Sequence, residues 1–379
     1  GIPELLLERG YKVITLSHLP GHALDIADEY ENLYYPFGQH ILSGAKLIAH
    51  HPNLYAVYLT NHGCGPDTML SHLFKQEMGD KPYLQIEVDE HFSNVGVITR
   101  IEAFLNSLNH RPVEVLPKDF VLEQVEIHPC HLPAVPEKDF PLWLPPLGEY
   151  TASLTGYFRA QGVDAHALPH LSAHALSLGR AETGAKEYLP FPALLGGILA
   201  QQEADPAPAQ FLIPQTQGAE ADGQYARVIR AVLDRRGNKR AKLVSPMLET
   251  LPATAQDRDA LFRALLAGDI LYAAPAAMRA GIAAAWDTLP GWAQLHKAAV
   301  EIGRCPATGR RLATVGTPLC LTELDSGVLS TLEAEGSQLL RAPLSEALWF
   351  LWKDNMDANK PCAKWLEQMA QEMQTIGAE

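Results

Sequence analysis

The spacing of apolar and polar residues along this chain predicts strands and helices that follow one another. Leu84, Ile86 and Val88 alternate with polar neighbours, which predicts a strand. Residues 54–60 form a continuous apolar run, as expected for a strand covered on both faces. Further patterns predict helices over 39–50, from about 66, over 97–108, 149–161, 225–233 and 258–300, and strands over 13–16, 143–147, 165–168, 211–214 and 241–245. Strands joined by helices are typical of parallel sheets.

Prolines indicate where the chain divides. Residues 111–148 contain eight prolines and no long periodicity, so we expect a domain boundary there. A weak internal repeat indicates a third unit. A strand–helix–strand pattern begins near residues 144–150, and a similar pattern begins near 314–320 and ends at 341–345. We therefore predict an α/β fold of several Rossmann-like three-layer units with mostly parallel sheets and a helical C-terminus. The predicted units are 1–135, 136–300 and a partial unit at 301–379.

Composition and charge narrow the functional classes. The 379 residues are 47% hydrophobic and 20% charged, which is typical of globular proteins. A net charge of −14 argues against a nucleic-acid-binding surface, and no apolar run has the roughly 20 residues that a membrane span needs. Five widely spaced cysteines without a C-x-x-C pair favour a reducing, cytoplasmic compartment. Because the chain begins Gly-Ile-Pro without a leader, we expect it to be a piece of a longer polypeptide.

The most informative loop reads Asn-His-Gly-Cys-Gly-Pro-Asp over residues 61–67. It follows a predicted buried strand, and ligand crevices of open α/β sheets form at such carboxyl ends. Gly63 and Gly65 permit close approach to the backbone, and Pro66 suits the first helical position. Cys64 should therefore lie at the positive end of a helix, which favours the thiolate that attacks or binds metal. The predicted cleft consists of Asn61, His62, Gly63, Cys64, Gly65, Asp67, Asp89, Glu90 and His91.

Three other interpretations of this loop stay open. Cys64 could be a small buried hydrophobic residue. Gly63, Gly65 and Thr68, with Asp89 after the next strand, partly match a dinucleotide fingerprint, although the third glycine is missing and proline crowds the turn. A mononuclear metal site is the third interpretation, although nothing fixes its ligand geometry. Its ligands would be His62, Cys64, His72 and His91.

Several segments together resemble one protein family. These are residues 35–39, 54–67, 77–83, 89–91 and 96–104. They resemble the C-terminal part of the large acyl-CoA dehydratase activase-related proteins, which is similar to the cluster-carrying subunits of 2-hydroxyacyl-CoA dehydratases. The resemblance is dense over about 33–108 and continues more loosely to about residue 350. It implies ATP-driven electron transfer, in which an activase half delivers an electron to a cluster and the dehydratase half forms a substrate radical.

The resemblance also implies a cofactor and partners. It makes Cys64 a ligand of an iron–sulfur (4Fe–4S) cluster, whose other ligands would lie upstream, because a cluster needs about four. On this basis the isolated chain would carry no cluster. The chain has no G-x-x-x-x-G-K-[ST] loop, so ATP would be bound by an activase segment of the same or another chain. The cleft would serve electron transfer or acyl-CoA.

A second set of residues departs from the family pattern. Segments 179–190 and 218–225 resemble motifs that have cysteine where this chain has Tyr188 and Glu220. Oxygen ligands match iron sulfide poorly, so we predict a degenerate second site that holds no cluster. Gln224 and Tyr225 would line its pocket or pack the helix. These substitutions favour an alternative function, a non-catalytic docking or regulatory module with decayed metal sites; a dinucleotide-binding domain is a further alternative.

Overall fold

The computed structural model describes most of the chain, in two compact units. The described residues are 1–304, except 62, 90–92, 110, 185, 216–220, 248–254 and 287, together with 311–313 and 338–340. The first unit comprises Gly1–Leu132, Arg180–Phe191 and Gln217–Asn238, and the second comprises Pro133–Gly179, Pro192–Thr216 and Lys239–Glu379. The units are therefore not contiguous in sequence, and two segments from the middle of the chain belong to the first.

The first unit is built on two parallel strands. Strand β1 (Val57–Asn61) pairs with β2 (Leu84–Val88), and helix α3 (Gly65–Met78) connects them. Helices α1 (Ile2–Glu8) and α4 (Asn94–Leu108) share an apolar core with the sheet. This core contains Leu6, Ile86, Val97, Ile101, Phe104, Leu105 and Leu108. Because side chains alternate along a strand, every second residue of β1 points away from this core, towards the opposite face of the sheet.

That other face of β1 is covered by α3. Tyr58 stacks on Phe74 with ring centroids 4.4 Å apart. Helix α2 (Pro36–His50) packs along α3, and Pro36 is its first residue, where a missing N–H costs nothing. Helix α8 (Tyr225–Arg235) also packs against α3. Helix α3 is thus enclosed by three elements of the first unit.

The second unit contains a four-stranded parallel sheet with strand order β4-β3-β5-β6. These strands are β3 (Leu142–Leu144), β4 (Ala165–Ala167), β5 (Ala209–Leu212) and β6 (Ala241–Val244). Its helices include α5 (Glu149–Ala160), α9 (Ala255–Ala273), α10 (Ala276–Ala284) and α11 (Trp292–Gly303). Two further helices, α6 (Ala173–Ala181) and α7 (Pro190–Ala204), each contain residues of both units. The core lies where α5 and α9 meet the sheet, and a buried hydrogen bond joins Tyr150 to Asp269 there. Among the described residues, no helix combines the length and apolar character needed to cross a bilayer.

These elements confirm the predicted α/β class with parallel strands. The strand predicted over 13–16 is wrong: residues 11–15 form no strand, and Leu16–His18 is a short 3-10 turn. Val13 still packs against the core of α1 and α4, so the apolar pattern reflects packing without a pairing partner. Strands β7 (Arg311–Ala313) and β8 (Gln338–Leu340) pair in parallel, but most of the predicted third unit lies outside the described residues, and the three-unit division stays a prediction.

A buried charge network joins several elements of the first unit. The Lys46 side chain of α2 is only 4% exposed, and its Nζ lies 2.8 Å from Oε2 of Glu29 and 3.0 Å from Oε2 of Glu77 in α3. The Tyr30 hydroxyl donates to Glu77. Arg227 of α8 lies over the Tyr30 ring and donates to the Glu29 carbonyl at 3.3 Å. One buried ammonium thus serves two carboxylates, and each partner is needed to offset the desolvation of the others.

We expect Lys46→Ala to lower the free energy of unfolding by about 3 to 5 kcal/mol, because two buried carboxylates would lose the ammonium group that they share. Urea unfolding followed by circular dichroism measures this change. Lys297→Ala is the control, since Lys297 is 77% exposed beside Glu301 and should change the free energy by less than about 0.5 kcal/mol. Equal stability of the two variants would mean that the network does not hold the unit together.

Candidate functional site

Cys64 stands at the carboxyl edge of the first sheet, at the amino terminus of α3. It is the N-cap residue of that helix, and it is partly exposed. Its N–H donates to the Asn61 carbonyl at 3.3 Å, and its own carbonyl accepts the Thr68 N–H at 3.1 Å. Gly63 has a φ of 70°, a conformation that glycine adopts without strain. The loop therefore turns sharply from β1 and leaves the sulfur at the rim.

Asp67 stabilises this turn from inside the first helical turn. One carboxylate oxygen accepts the N–H of Asn61 at 2.9 Å, which ties the helix start to the end of β1. Burial raises the pKa of Tyr58 on β1, and the nearby Asp67 carboxylate and Cys64 thiol raise it further. Tyr58 is therefore a neutral phenol beside the loop. Asp67 is engaged with the backbone, which explains its place in the loop without a ligand.

Tyr188 lies directly against the residue that follows Cys64. A Cβ built on Gly65 would lie 3.1 Å from the Tyr188 hydroxyl oxygen and 3.1 Å from its Cε2. A methyl group at residue 65 would require the Tyr188 ring to shift by a few tenths of an ångström. The structure thus brings Tyr188, predicted as part of a degenerate second site, next to the predicted cluster loop within the first unit.

The segment that carries Tyr188 is held by a hydrogen bond and an ion pair; we call residues 186–189 the strap. Oε1 of Glu187 lies 2.5 Å from Nε2 of His72 in α3 and accepts the Gly184 N–H at 2.9 Å. Lys186 Nζ lies 2.9 Å from Oε2 of Glu87 in β2. The Glu187 side chain is 3% exposed. The strap is therefore anchored to both the helix and the strand that border the loop.

The Glu187 carboxyl is ionised at all ordinary pH values. Burial alone would raise its pKa, but the hydrogen bonds from His72 and from the Gly184 N–H outweigh burial and lower the pKa to about 2. Because the folded protein holds this proton more weakly than the unfolded chain, Glu187 contributes stability above its ordinary pKa. That contribution is lost as the pH falls towards 2.

Two other predicted residues of the second site, Gln224 and Tyr225, are packed inside the first unit. Gln224 is 4% exposed and its Nε2 donates to the Asn32 carbonyl at 2.7 Å. Tyr225 is also 4% exposed, and its ring centroid lies 5.0 Å from that of Phe191. Phe191 in turn lies 5.9 Å from the ring of His72. The Phe191 ring thus lies between Tyr225 of α8 and His72 of α3.

Of the remaining predicted residues of the cleft and of the second site, one is described by the structure and four are not. Asp89 directly follows β2, whose end lies beside that of β1, as the parallel register requires. Four candidates lie outside the described residues: His62, Glu90, His91 and Glu220. Any contribution from those four stays a prediction.

The described residues offer little for a complete metal site. Among them, no three His, Cys, Asp or Glu side chains converge so that they could hold a metal ion. Cys64 and Cys130 are free thiols. Cys130 lies in the Pro-rich connector, and its N–H donates to the Asp28 carbonyl. His72, a candidate ligand of a mononuclear site, is engaged with Glu187. The loop therefore presents one soft donor, Cys64.

The geometry does not favour a dinucleotide site at this loop. In such sites the second glycine lets the cofactor pyrophosphate approach the backbone closely. Here the ring of Tyr188 takes the space beside Gly65. A pyrophosphate could approach this residue only after the ring had moved.

Sequence patterns did not reveal the strap as part of this site. His72 and Glu187 lie on segments that are far apart in the sequence, and an ion pair between them leaves no periodic pattern. The one available signal was the resemblance of segment 179–190 to a family motif, which singled out position 188 but not its contact with Gly65.

Comparison with protein-family models, curated proteins and solved structures gives no match to this chain. The function must therefore be argued from the chemistry of the site and from the sequence resemblance.

Gly65→Ala should lower the free energy of unfolding by at most about 1 kcal/mol, the low end of the overpacking range, because the new methyl group meets the half-exposed Tyr188 ring. Removing the ring should restore part of this loss, so the double variant Gly65→Ala, Tyr188→Ala should be less destabilised than the sum of the single variants. Gly96→Ala in α4 is the control, since its Cβ meets nothing within 4 Å. Additive single effects in urea unfolding would contradict the contact.

Glu187→Gln should lower the free energy of unfolding at pH 7 by roughly 3 kcal/mol, because the lowered pKa of Glu187 corresponds to about that much stabilisation. The difference from the wild type should shrink as the pH falls from about 4 towards 2, where the carboxyl is protonated in both states. Glu203→Gln is the control, since Glu203 pairs with His174 at 2.8 Å but both side chains are exposed. Its effect should stay below about 1 kcal/mol. A difference that does not change with pH would contradict this prediction.

Proposed function

We propose that this chain is the dehydratase-like region of an acyl-CoA dehydratase activase-related protein, and that Cys64 supplies one thiolate to an iron–sulfur cluster. The cluster would accept and pass an electron when bound. The chain would act in a reducing compartment such as the cytoplasm, together with an ATPase activase segment. An acyl-CoA or another electron acceptor would occupy the neighbouring cleft.

The observation that supports this proposal most strongly is the position of Cys64. The residue is partly exposed at the carboxyl edge of a parallel sheet, where α/β proteins bind their ligands. As the N-cap residue of a 14-residue helix it lies at the positive end of the helix dipole, where an anionic group is stabilised. A structural cysteine in a core would be enclosed on all sides.

The residues around the sulfur fit one ligand of a cluster and no more. Thiolate is the ligand that iron–sulfur clusters use, and Cys64 offers it. Tyr188 offers a phenol oxygen, which is a harder donor than iron sulfide prefers. The other ligands would therefore come from residues outside the described site. Asp67 and Gly63 would hold the loop in its turn, and the Tyr188 ring would limit the entry of water.

The test is anaerobic reconstitution of the full-length protein with iron and sulfide, comparing Cys64→Ser with Cys130→Ser. Both cysteines are free and partly exposed, so the second variant is a matched control. We expect Cys64→Ser to lose most of the bound iron and acid-labile sulfide, together with the broad visible absorption of the cluster. Cys130→Ser should retain the wild-type content. Equal cluster content in both variants would reject the ligand role of Cys64.

The second candidate function is a non-catalytic docking or regulatory module. The hard oxygen of Tyr188 beside the loop favours it, because that atom cannot replace a thiolate well. The exposed Tyr188 and Leu189, 50% and 37% exposed, offer apolar surface to a partner. Binding of this chain to the activase segment, with turnover unaltered by Cys64→Ser, would favour this function. Absence of any binding would count against it.

A further inference from the structure

A cleft lies within the first unit, at the amino-terminal end of its sheet. Tyr55 shortly precedes β1 and Lys81 shortly precedes β2, so both line the cleft where the two parallel strands begin. The two side chains are half-buried, and Lys81 Nζ lies 5.4 Å from the centroid of the Tyr55 ring. The volume of the cleft is about 350 Å³, which falls within the range of small-molecule sites.

Hydrogen bonds hold the walls of this cleft in place. Nδ2 of Asn53 donates to the Glu114 carbonyl at 2.8 Å, and the Glu114 N–H donates back to Oδ1 of Asn53 at 2.8 Å. On the inner side, Lys81 Nζ donates to the Ile48 carbonyl at 2.7 Å and to the His51 carbonyl. Because an ammonium group has three N–H donors, one remains for a ligand. The cleft is therefore preformed.

Four charged side chains, two of each sign, line the cleft: Asp80, Lys81, Arg111 and Glu114. In the part of the chain that the structure describes, none of these four side chains forms a salt bridge with another. Burial lowers the pKa of Lys81 to about 8; the Glu114 carboxylate raises this pKa and the Arg111 guanidinium lowers it. The charge of Lys81 is thus incompletely compensated, and an added carboxylate would stabilise its ammonium form.

This balance of charges determines which kind of ligand fits. A simple anion would be attracted by the two cations of the cleft and repelled by its two carboxylates, and a simple cation would meet the reverse. A molecule with both charges can place each of them beside its opposites. Arg111 suits the carboxylate of such a molecule, because the paired N–H groups of a guanidinium match two carboxylate oxygens. The Tyr55 ring offers apolar contact to the atoms between the charges.

We propose that this cleft binds a small zwitterion that carries one carboxylate and one ammonium group. The carboxylate would lie beside Lys81 and Arg111. The ammonium group would lie beside the exposed carboxylates of Asp80 and Glu114. This site goes beyond the proposed function and does not depend on it, because Cys64 follows the opposite, carboxyl-terminal end of β1.

The test measures binding of simple probes to the whole chain by saturation-transfer NMR titration at low ionic strength, where charge interactions are least screened. The zwitterionic probes are glycine, β-alanine and 4-aminobutyrate, which differ in the distance between their two charges. Propionate carries only the carboxylate, and ethylammonium carries only the ammonium group. We expect at least one zwitterion to bind roughly tenfold more tightly than either singly charged probe, a factor that corresponds to about 1.4 kcal/mol from the second charge.

Two variants each remove one charge from the cleft. Arg111→Gln and Glu114→Gln should each weaken binding of the preferred zwitterion roughly tenfold, because each removes a charge-assisted hydrogen bond. Arg100→Gln and Glu8→Gln are matched controls, since both residues are exposed in the same unit and do not line the cleft. The controls should leave the affinity within about twofold of the wild type. Lys81 is kept, because it also holds two backbone carbonyls.

Three outcomes would overturn the proposal. The first is that none of the zwitterions binds to the wild type. The second is that propionate or ethylammonium binds as tightly as the best zwitterion, which would make the cleft a site for a simple ion. The third is an equal loss of affinity in the control variants, which would indicate an effect of net charge. The wild-type probe series decides alone if circular dichroism shows that a variant is unfolded. No variant alters Cys64, so the result is independent of the cluster reconstitution.

Discussion

The burial of one ammonium group between two carboxylates ties helix α2 to helix α3 and to the segment that precedes α2. Lys46 cannot leave its position without leaving Glu29 and Glu77 unpaired in the interior. The network therefore fixes the position of α2 along α3. It also includes α8, because Arg227 of that helix lies over the Tyr30 ring. Apolar packing alone would tolerate small shifts along these helices, whereas buried ion pairs require their partners at specific positions.

Helix α3 transmits this constraint to the candidate site. Glu77, near its end, belongs to the buried network, His72 binds the strap, and Gly65 at its start contacts Tyr188. These three positions lie on one rigid element, about 18 Å from first to last at 1.5 Å per residue. The location of Cys64 relative to the strap is thus set by the same helix that the charge network holds. Stability of the core and geometry of the loop depend on one another here.

The sequence predicted local structure well and long-range contacts poorly. The two-residue period at 84–88 and the apolar face at 97–108 correspond to β2 and α4, and Pro66 correctly marked the start of α3. The loop predicted Cys64 beside the positive end of this helix, and the structure places it there, as the N-cap residue. The strand at 13–16 failed because pairing needs a neighbour, which an apolar pattern does not reveal. The return of residues 180–191 to the first unit depends on the His72–Glu187 and Lys186–Glu87 pairs, which no local pattern encodes.

The position of Tyr188 bears on both candidate functions at once. A cluster ligand must be reachable by iron and sulfide, so a ring over the helix start is useful only if it can move aside. A docking module needs no such motion, and the same ring would then serve as exposed apolar surface. Tyr188 is half exposed, so water can satisfy its hydroxyl, and the position of the ring alone favours neither case. The binding of iron and sulfide at Cys64 therefore distinguishes a site built for a ligand from a surface built for a partner.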